Sequence, residues 1–223
     1  MEKLVVAGAP EIAGVRAVLF DYGLVLTGPP DARSWDAMLA VLSAEEPPFS
    51  AAYWRYRDDY DRGTLNGASY WRAIARDLQR ELSEAQLQDL MDHDTTLWTQ
   101  PNTATIAWAA RLQAAGIRTG ILSNLGDAME HGVLSRCEWL ADFTHHTFSH
   151  RLGITKPEPA IYRHAADGLD VPPGQILFVD DRVENIAGAR AAGMKAVRYT
   201  DHGSFVQEMI SAGLEPLLLD EPE

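Results

Sequence analysis

The sequence predicts an α/β fold in which a doubly wound parallel sheet carries one inserted all-helical region. Residues 18–20 and 176–179 are short apolar runs with the composition of strands buried on both faces. From Pro101 onward helical and strand patterns alternate, which is typical of βα units joined by right-handed crossovers. Residues 31–98 show helical periods and no convincing strand. We therefore predict a sheet core from residues 1–27 and 100–223, and a helical insertion over residues 28–99.

The insertion is rich in aromatic residues at helical spacing. Tyr53, Tyr56 and Tyr60 share one such period. The Asn-Gly pair at 66–67 marks a loop between helices. Residues 83–86 read Ser-Glu-Ala-Gln, a capping box that predicts the start of another helix.

The alternating part of the chain supplies the remaining elements of the predicted core. Gly116 and Gly193 end two of its helices. One strand is predicted less strongly than the others, because its sequence is partly polar. The predicted helices cover residues 106–114, 128–137, 159–166 and 183–191, and the strands cover residues 117–122, 143–148 (the weak one), 176–179 and a short run near 196–197.

Composition excludes several classes of function. The 223 residues carry a formal net charge of −13, which argues against nucleic acid and anionic membranes as partners because no Lys/Arg cluster could supply the phosphate contacts. The single cysteine, Cys137, excludes an internal disulfide and a CxxC metal or redox site. No stretch approaches 18 consecutive apolar residues, and the start lacks the apolar core of a signal peptide. We expect a cytoplasmic protein, either a monomer or a homodimer.

Two polar groups of residues are interpreted as structural. His145, His146 and His150 could form a metal cluster, but a partly solvated strand edge is the favoured interpretation. The run at residues 55–57, Arg-Tyr-Arg, is interpreted as solvent-exposed.

Polar side chains follow three of the predicted strands where those strands end. Asp21 follows the first, residues 123–124 (Ser-Asn) the second, and residues 180–181 (Asp-Asp) the third. The carboxyl ends of parallel strands lie at one edge of a sheet, so these groups can converge. Lys156 precedes a helix whose entry is fixed by proline, and can place an ammonium over the same edge. The set offers a carboxylate nucleophile, donors, a cation and an acidic pair suited to Mg²⁺, the parts that phosphoryl transfer requires.

The order Asp21, Ser123, Lys156-Pro157 and Asp180-Asp181 resembles the haloacid dehalogenase-like (HAD) superfamily. The four motifs span the whole chain, and the insertion resembles the family's helical C1 cap. The motifs Phe-Asp-x-Gly, Leu-Ser-Asn, Lys-Pro-Glu-x-x-Ile-Tyr and Val-Asp-Asp-x-x-x-Asn-Ile, with the Arg-Gly-Thr-Leu segment at 62–65, are similar to the glucose-1-phosphatase-like branch. The resemblance implies a Rossmann-like core and hydrolysis of a small phosphorylated molecule.

The resemblance also implies roles for the residues around a magnesium ion. Asp21 would attack phosphorus and form an aspartyl-phosphate. The carboxylates of Asp21 and Asp180 and the backbone carbonyl of Gly23 would bind Mg²⁺, with Asp181 on a metal water or on Lys156. Gly23 would also border the substrate.

Further roles implied by the resemblance concern the substrate. Ser123, with backbone N–H groups near Asn124, would hold the phosphoryl oxygens, and Lys156 would neutralise both the phosphate and the nucleophile. Arg62, in the insertion, would contact the substrate. Asn185 would support the metal ligands from behind.

One departure from the family pattern leaves the function open. The usual phosphatase motif has a second Asp two residues after the nucleophile as general acid and base, and here that position is Gly23. General acid–base catalysis is typically worth about 10²–10⁴-fold, so a substrate with a good leaving group, such as a sugar 1-phosphate or an acyl phosphate, is favoured. The leading hypothesis is an Mg²⁺-dependent phosphatase. The alternatives are a metal-free C–halogen hydrolase, in which Asp180 and Asp181 would lack a cation, and a catalytically weak anion-binding module.

Overall fold

The computed structural model describes residues 10–219, and these form an α/β core around a five-stranded sheet. All strands are parallel, in the order β3-β2-β1-β4-β5, as the alternating sequence pattern predicts. Strand β1 is central, with Phe20 opposite Ile121 on one side and Val179 on the other. The strands are β1 (Ala17–Phe20), β2 (Arg118–Ser123), β3 (His145–Phe148), β4 (Ile176–Asp180) and β5 (Lys195–Arg198).

Helices cover both faces of this sheet, which makes the fold doubly wound. Side chains of β1 alternate between the two faces: Val18 and Phe20 join one hydrophobic cluster, and Ala17 and Leu19 join the other. Helices α6, α7 and α11 cover the first face, and α9 and α10 cover the second. The helices of this part are α6 (Thr103–Ala114), α7 (Asp127–Arg136), α8 (Ser149–Leu152), α9 (Pro159–Leu169), α10 (Val183–Ala191) and α11 (His202–Ser211).

The insertion consists of helices with a hydrophobic cluster of their own. Aromatic rings dominate this cluster, including a stacked pair formed by Tyr60 and Tyr70 with centroids 4.5 Å apart. The capping box formed by Ser83 and Gln86 is present at the start of α5, as the sequence predicts. Its helices are α1 (Ala32–Leu42), α2 (Glu46–Arg55), α3 (Arg57–Arg62), α4 (Gly67–Asp77) and α5 (Glu84–Leu97).

Three expectations drawn from the sequence differ from the structure. The tyrosine period at residues 53–60 does not belong to one helix, because the chain breaks between α2 and α3 at Tyr56. Helix α11 has no counterpart among the predicted elements; the side chain of Asp201 caps its start, and Phe205 and Met209 bury its inner face. The interpretation of Arg57 as solvent-exposed is wrong, since its side chain is 11% exposed and pairs with the carboxylate of Asp61.

The acidic tail at 220–223 and most of the irregular lead-in expected before Val15 lie outside the described residues. Within residues 10–219, no helix combines the length and the apolar character that crossing a bilayer requires.

Candidate active site

Three strands of the sheet deliver their polar ends to one edge, where β1 is flanked by β2 and β4. Ser123 is the last residue of β2, Asp180 is the last residue of β4, and Asp21 follows β1 directly. A cavity of about 360 Å³ opens above this edge, between the core and the insertion. All three side chains are buried.

The chain after β1 turns so that Gly23 borders this cavity next to Asp21. Residues Tyr22–Leu26 form one wide turn whose backbone angles are not helical at Gly23 and Leu24, and a carboxylate oxygen of Asp21 accepts a hydrogen bond from the backbone N–H of Tyr22 at 2.7 Å. Gly23 has φ −65°, a value that any L-residue adopts, while Leu24 is the residue with positive φ, at 60°. A Cβ at Gly23 would meet no atom closer than 4.0 Å, in Trp98.

Lys156 forms ion pairs with two of the acids. Its Nζ lies 2.7 Å from a carboxylate oxygen of Asp21 and 2.7 Å from one of Asp180, and its side chain is 2% exposed. Burial acts to lower the pKa of Lys156, but Asp180 and Asp21 raise it above its ordinary value. The lysine is therefore charged at neutral pH.

The carboxylate of Asp180 accepts hydrogen bonds from several donors besides Lys156. It accepts hydrogen bonds from the backbone N–H of Arg182 at 2.8 Å and from the side-chain amide of Asn185 at 3.0 and 3.1 Å. Asn185 thus supports Asp180 from behind, as the family resemblance implies. These donors fix the position of the carboxylate.

Asp21, Asp180 and Asp181 form a carboxylate cluster whose oxygens lie within 4.8 Å of one another. Burial raises the pKa of Asp21 to about 8; Lys156 opposes this shift, and Asp180 and Asp181 add to it. Burial and Asp180 also raise the pKa of Asp181. Clustered carboxylates repel one another, and hard oxygen ligands of this kind suit Mg²⁺. The donor set therefore fits the divalent cation that the sequence predicts.

Ser123 and Asn124 lie at the floor of the cavity, and the amide of Asn124 has a structural partner. It donates to the backbone carbonyl of Lys156 at 3.0 Å and accepts from the backbone N–H of Lys156 at 2.8 Å. Asn124 therefore fixes the position of the lysine through its side chain. Ser123 is 4% exposed and borders the same cavity.

A model of haloacid dehalogenase-like hydrolases matches residues 15–193, which include the carboxylate cluster, Ser123 and Lys156. The chain belongs to this family. It is 31% identical over 205 residues to (S)-2-haloacid dehalogenase 1 of a Pseudomonas species (strain CBS-3), and the match covers 82% of this hydrolase and 84% of the relative. A phosphatase of Mycobacterium tuberculosis is 30% identical over 132 residues, covering 58% of this hydrolase and 59% of the relative.

The fold of this hydrolase is similar to that of a HAD-family enzyme of Bacteroides thetaiotaomicron. The TM-score is 0.74 at 17% identity, and the match covers 87% of this hydrolase and 98% of the other chain. The same Bacteroides enzyme has also been crystallised with magnesium and inorganic phosphate. The relatives thus include a haloacid dehalogenase and a phosphatase.

Arg62 lies outside the wall of the cavity, contrary to the expected substrate contact. Its guanidinium donates to the carbonyl of Gly153 at 3.2 Å and to the hydroxyl of Thr155 at 3.1 Å, and it pairs with the carboxylate of Glu158 at 2.8 Å. These residues flank Lys156 on both sides. Arg62 therefore ties the insertion to the loop that carries the lysine.

The cavity has a second wall, supplied by the insertion, whose charged residues the sequence did not reveal. Its residues come from α2, α3 and the end of α5. A W-R-Y-R-D-D pattern is compatible with a solvated helix, so the sequence held no signal that this face turns inward. The residues of this wall are Trp54, Arg57, Asp58, Asp61 and Trp98.

Proposed function

We propose that this hydrolase is an Mg²⁺-dependent phosphatase that acts through an aspartyl-phosphate at Asp21. The observation that carries the proposal is the carboxylate cluster of Asp21, Asp180 and Asp181. Within residues 10–219, Lys156 is the only cationic side chain that forms an ion pair with these acids. With all three ionised, the cluster keeps a net negative charge after the lysine is counted.

Such a cluster requires a cation for reasons of electrostatics. Removing carboxylates from water is costly, and like charges at this distance disfavour ionisation. A protonated Asp21 would be a poor nucleophile, so either chemistry needs the ionised form. A bound Mg²⁺ would neutralise the cluster and stabilise the charge on a phosphoryl group. Attack on carbon needs no metal, and Asp181, which forms no ion pair with any of the residues 10–219, would then keep its charge uncompensated at close range.

The proposed hydrolysis has two chemical steps. An oxygen of Asp21 bonds to phosphorus while the bond from phosphorus to the leaving alcohol breaks, and the alkoxide takes a proton from water. Lys156 and Ser123 stabilise the charge on the phosphoryl oxygens. A water molecule then attacks phosphorus, the bond to Asp21 breaks, and the carboxylate returns as inorganic phosphate leaves.

The residue at position 23 points to the kind of ester. Gly23 offers no side chain to protonate the departing oxygen, so esters with good leaving groups should react fastest. Sugar 1-phosphates have this property, and we propose them as the natural type of substrate.

The relatives support a second candidate, metal-free hydrolysis of a carbon–halogen bond. The 31% identity with a haloacid dehalogenase favours it, while the phosphatase relative favours the first proposal. The carboxylate cluster decides our preference.

A screen with two readouts separates the candidates. Phosphate release from a panel of phosphorylated metabolites and chloride release from 2-chloropropionate are measured with Mg²⁺ and with excess chelator. We expect phosphate release that the chelator abolishes. Chloride release that the chelator leaves unchanged, with no phosphate release, would overturn the proposal.

A further inference from the structure

The wall that the insertion contributes to the cavity faces whatever group is attached to the phosphate. The core wall holds Asp21, Ser123 and Lys156, to which the proposed function assigns the phosphoryl group. The leaving alcohol must therefore lie against α2, α3 and the end of α5. Its chemistry can be inferred from the charges and surfaces presented there.

The charge of this wall is set by a network in which acids outnumber the guanidinium. The Nε of Arg57 lies 2.9 Å from Asp61, and its Nη1 lies 3.6 Å from the buried Asp94. Asp58 adds a third carboxylate, which is exposed and borders the cavity. The positive charge of Arg57 is therefore already neutralised by acids of the insertion itself.

The network also explains why Arg57 is not free to bind an anionic substrate. Its Nη1 donates to the hydroxyl of Tyr53 at 2.7 Å, and that hydroxyl donates to Asp94 at 2.7 Å. Its guanidinium carbon lies 5.6 Å from the ring centroids of Tyr53 and Tyr60. Burial raises the pKa of Asp61 to about 7 although Arg57 opposes this, so a further anion nearby would be unfavourable.

An exposed aromatic surface completes the wall. Trp54 is 53% exposed beside the cavity, whereas most aromatic side chains of the insertion are buried in its hydrophobic cluster. The indole nitrogen of Trp98 is already bonded to Tyr53 at 3.3 Å, which leaves its ring for apolar contact. Indole faces pack against the C–H faces of sugars and attract cations, but they do not favour anions.

We infer that the insertion selects phosphate monoesters whose leaving alcohol carries hydroxyl or amino groups and no second negative charge. This inference rests on the proposed phosphatase function. It favours monophosphates of neutral sugars and amino alcohols, and it disfavours bisphosphates and phosphorylated carboxylic acids. Asp58 and Asp61 would accept hydrogen bonds from the hydroxyl or amino groups of the leaving alcohol, and they would repel a second negative charge on it.

Matched substrates test the charge selection. Glucose 1-phosphate and glucose 1,6-bisphosphate differ by one anionic group on the leaving side, and phosphoethanolamine represents the amino alcohols. We expect the kcat/KM for the bisphosphate to be lower by about fivefold or more at low salt, and by less at high salt because surface charges are screened. A ratio near one, or a preference for the bisphosphate, overturns the inference. Activity on glucose 1-phosphate supports the sugar 1-phosphates proposed above, whereas activity on phosphoethanolamine alone would contradict them, because its primary alkoxide is the poorer leaving group.

A pair of variants assigns the effect to the wall. Asp58→Asn should shift the ratio by about threefold or more toward the bisphosphate. Asp59→Asn removes the same charge from the neighbouring exposed residue, which does not border the cavity, and should leave the ratio unchanged. Equal shifts in both variants would contradict a local role for Asp58. Failure to hydrolyse any of these esters with Mg²⁺ would instead count against the phosphatase itself.

Discussion

The ammonium of Lys156 lies 2.7 Å from the carboxylate of Asp21, with both side chains buried at the edge of the sheet. The two residues are 135 positions apart, and neither depends on the substrate for its position. The nucleophile and its neutralising cation are thus placed before substrate binds. Such preorganisation is a major source of catalytic power.

Replacing the nucleophile should abolish turnover without unfolding the protein. We expect Asp21→Asn to lower kcat by at least about 10³-fold, because an amide is a poor nucleophile of nearly the same size. Steady-state kinetics and a thermal unfolding curve measure the two effects. A variant that keeps near-normal kcat would show that another residue attacks phosphorus.

Stability in the absence of metal should fall as the pH rises. The pKa of Asp21 is about 8 in the folded protein and 3.8 as an ordinary value, so the folded state keeps a proton that the unfolded state loses. The stability from this difference is fully present below about pH 4 and is lost as pH rises through about 8.

Magnesium should reverse this trend, because it binds the deprotonated carboxylates. We expect Mg²⁺ to raise the melting temperature more at pH 8 than at pH 5.5, and Asp181→Asn to reduce the increase. Differential scanning fluorimetry at the two pH values, with and without Mg²⁺, measures the increase in melting temperature. No increase at either pH would count against a metal site in this cluster.

A carboxylate introduced at position 23 should restore a general acid. Gly23 has φ −65° and enough open space around it to accept a Cβ atom, so Gly23→Asp should fold without strain. We expect kcat/KM to rise by about tenfold or more for alkyl phosphates and little for aryl phosphates. Gly23→Asn is the matched control of equal size. An equal gain in both variants would exclude acid catalysis as the cause.

Arg62 should act on the position of Lys156 and not on substrate choice. Removing its contacts with Gly153, Thr155 and Glu158 in Arg62→Ala frees the lysine loop from the insertion. We expect kcat to fall by about tenfold for every substrate, with little change in KM, and partial recovery in Arg62→Lys. Arg72→Ala, which breaks an exposed pair with Glu84, is the control. A change in the order of substrate preference would instead indicate that Arg62 contacts the substrate directly.

The sheet and its polar edge could be predicted because local sequence determines them. The apolar runs before Asp21 and Asp180 define buried strands, and parallel topology then brings their ends together. The support of Asp180 by Asn185 followed from the family motif and is present in the structure.

The wall formed by the insertion could not be predicted, because the direction of a polar helix face depends on packing between distant segments. The sequence pattern places Arg57 in solvent, yet Asp61 and Asp94 from two helices pair with it in a partly buried position. Arg62 carries the same charge five residues later and points to the core loop instead. The local sequence does not show that Arg57 faces the cavity while Arg62 contacts the core loop.

Trapping the covalent intermediate tests the central claim most directly. The enzyme is mixed with a phosphate ester and Mg²⁺, quenched in acid within milliseconds, and digested for mass spectrometry. We predict a phosphoryl group on the peptide that contains Asp21, absent with excess chelator and absent in Asp21→Asn. An Asp21 ester formed with 2-chloropropionate without metal, and no phosphoryl adduct from any ester during turnover, would contradict the account.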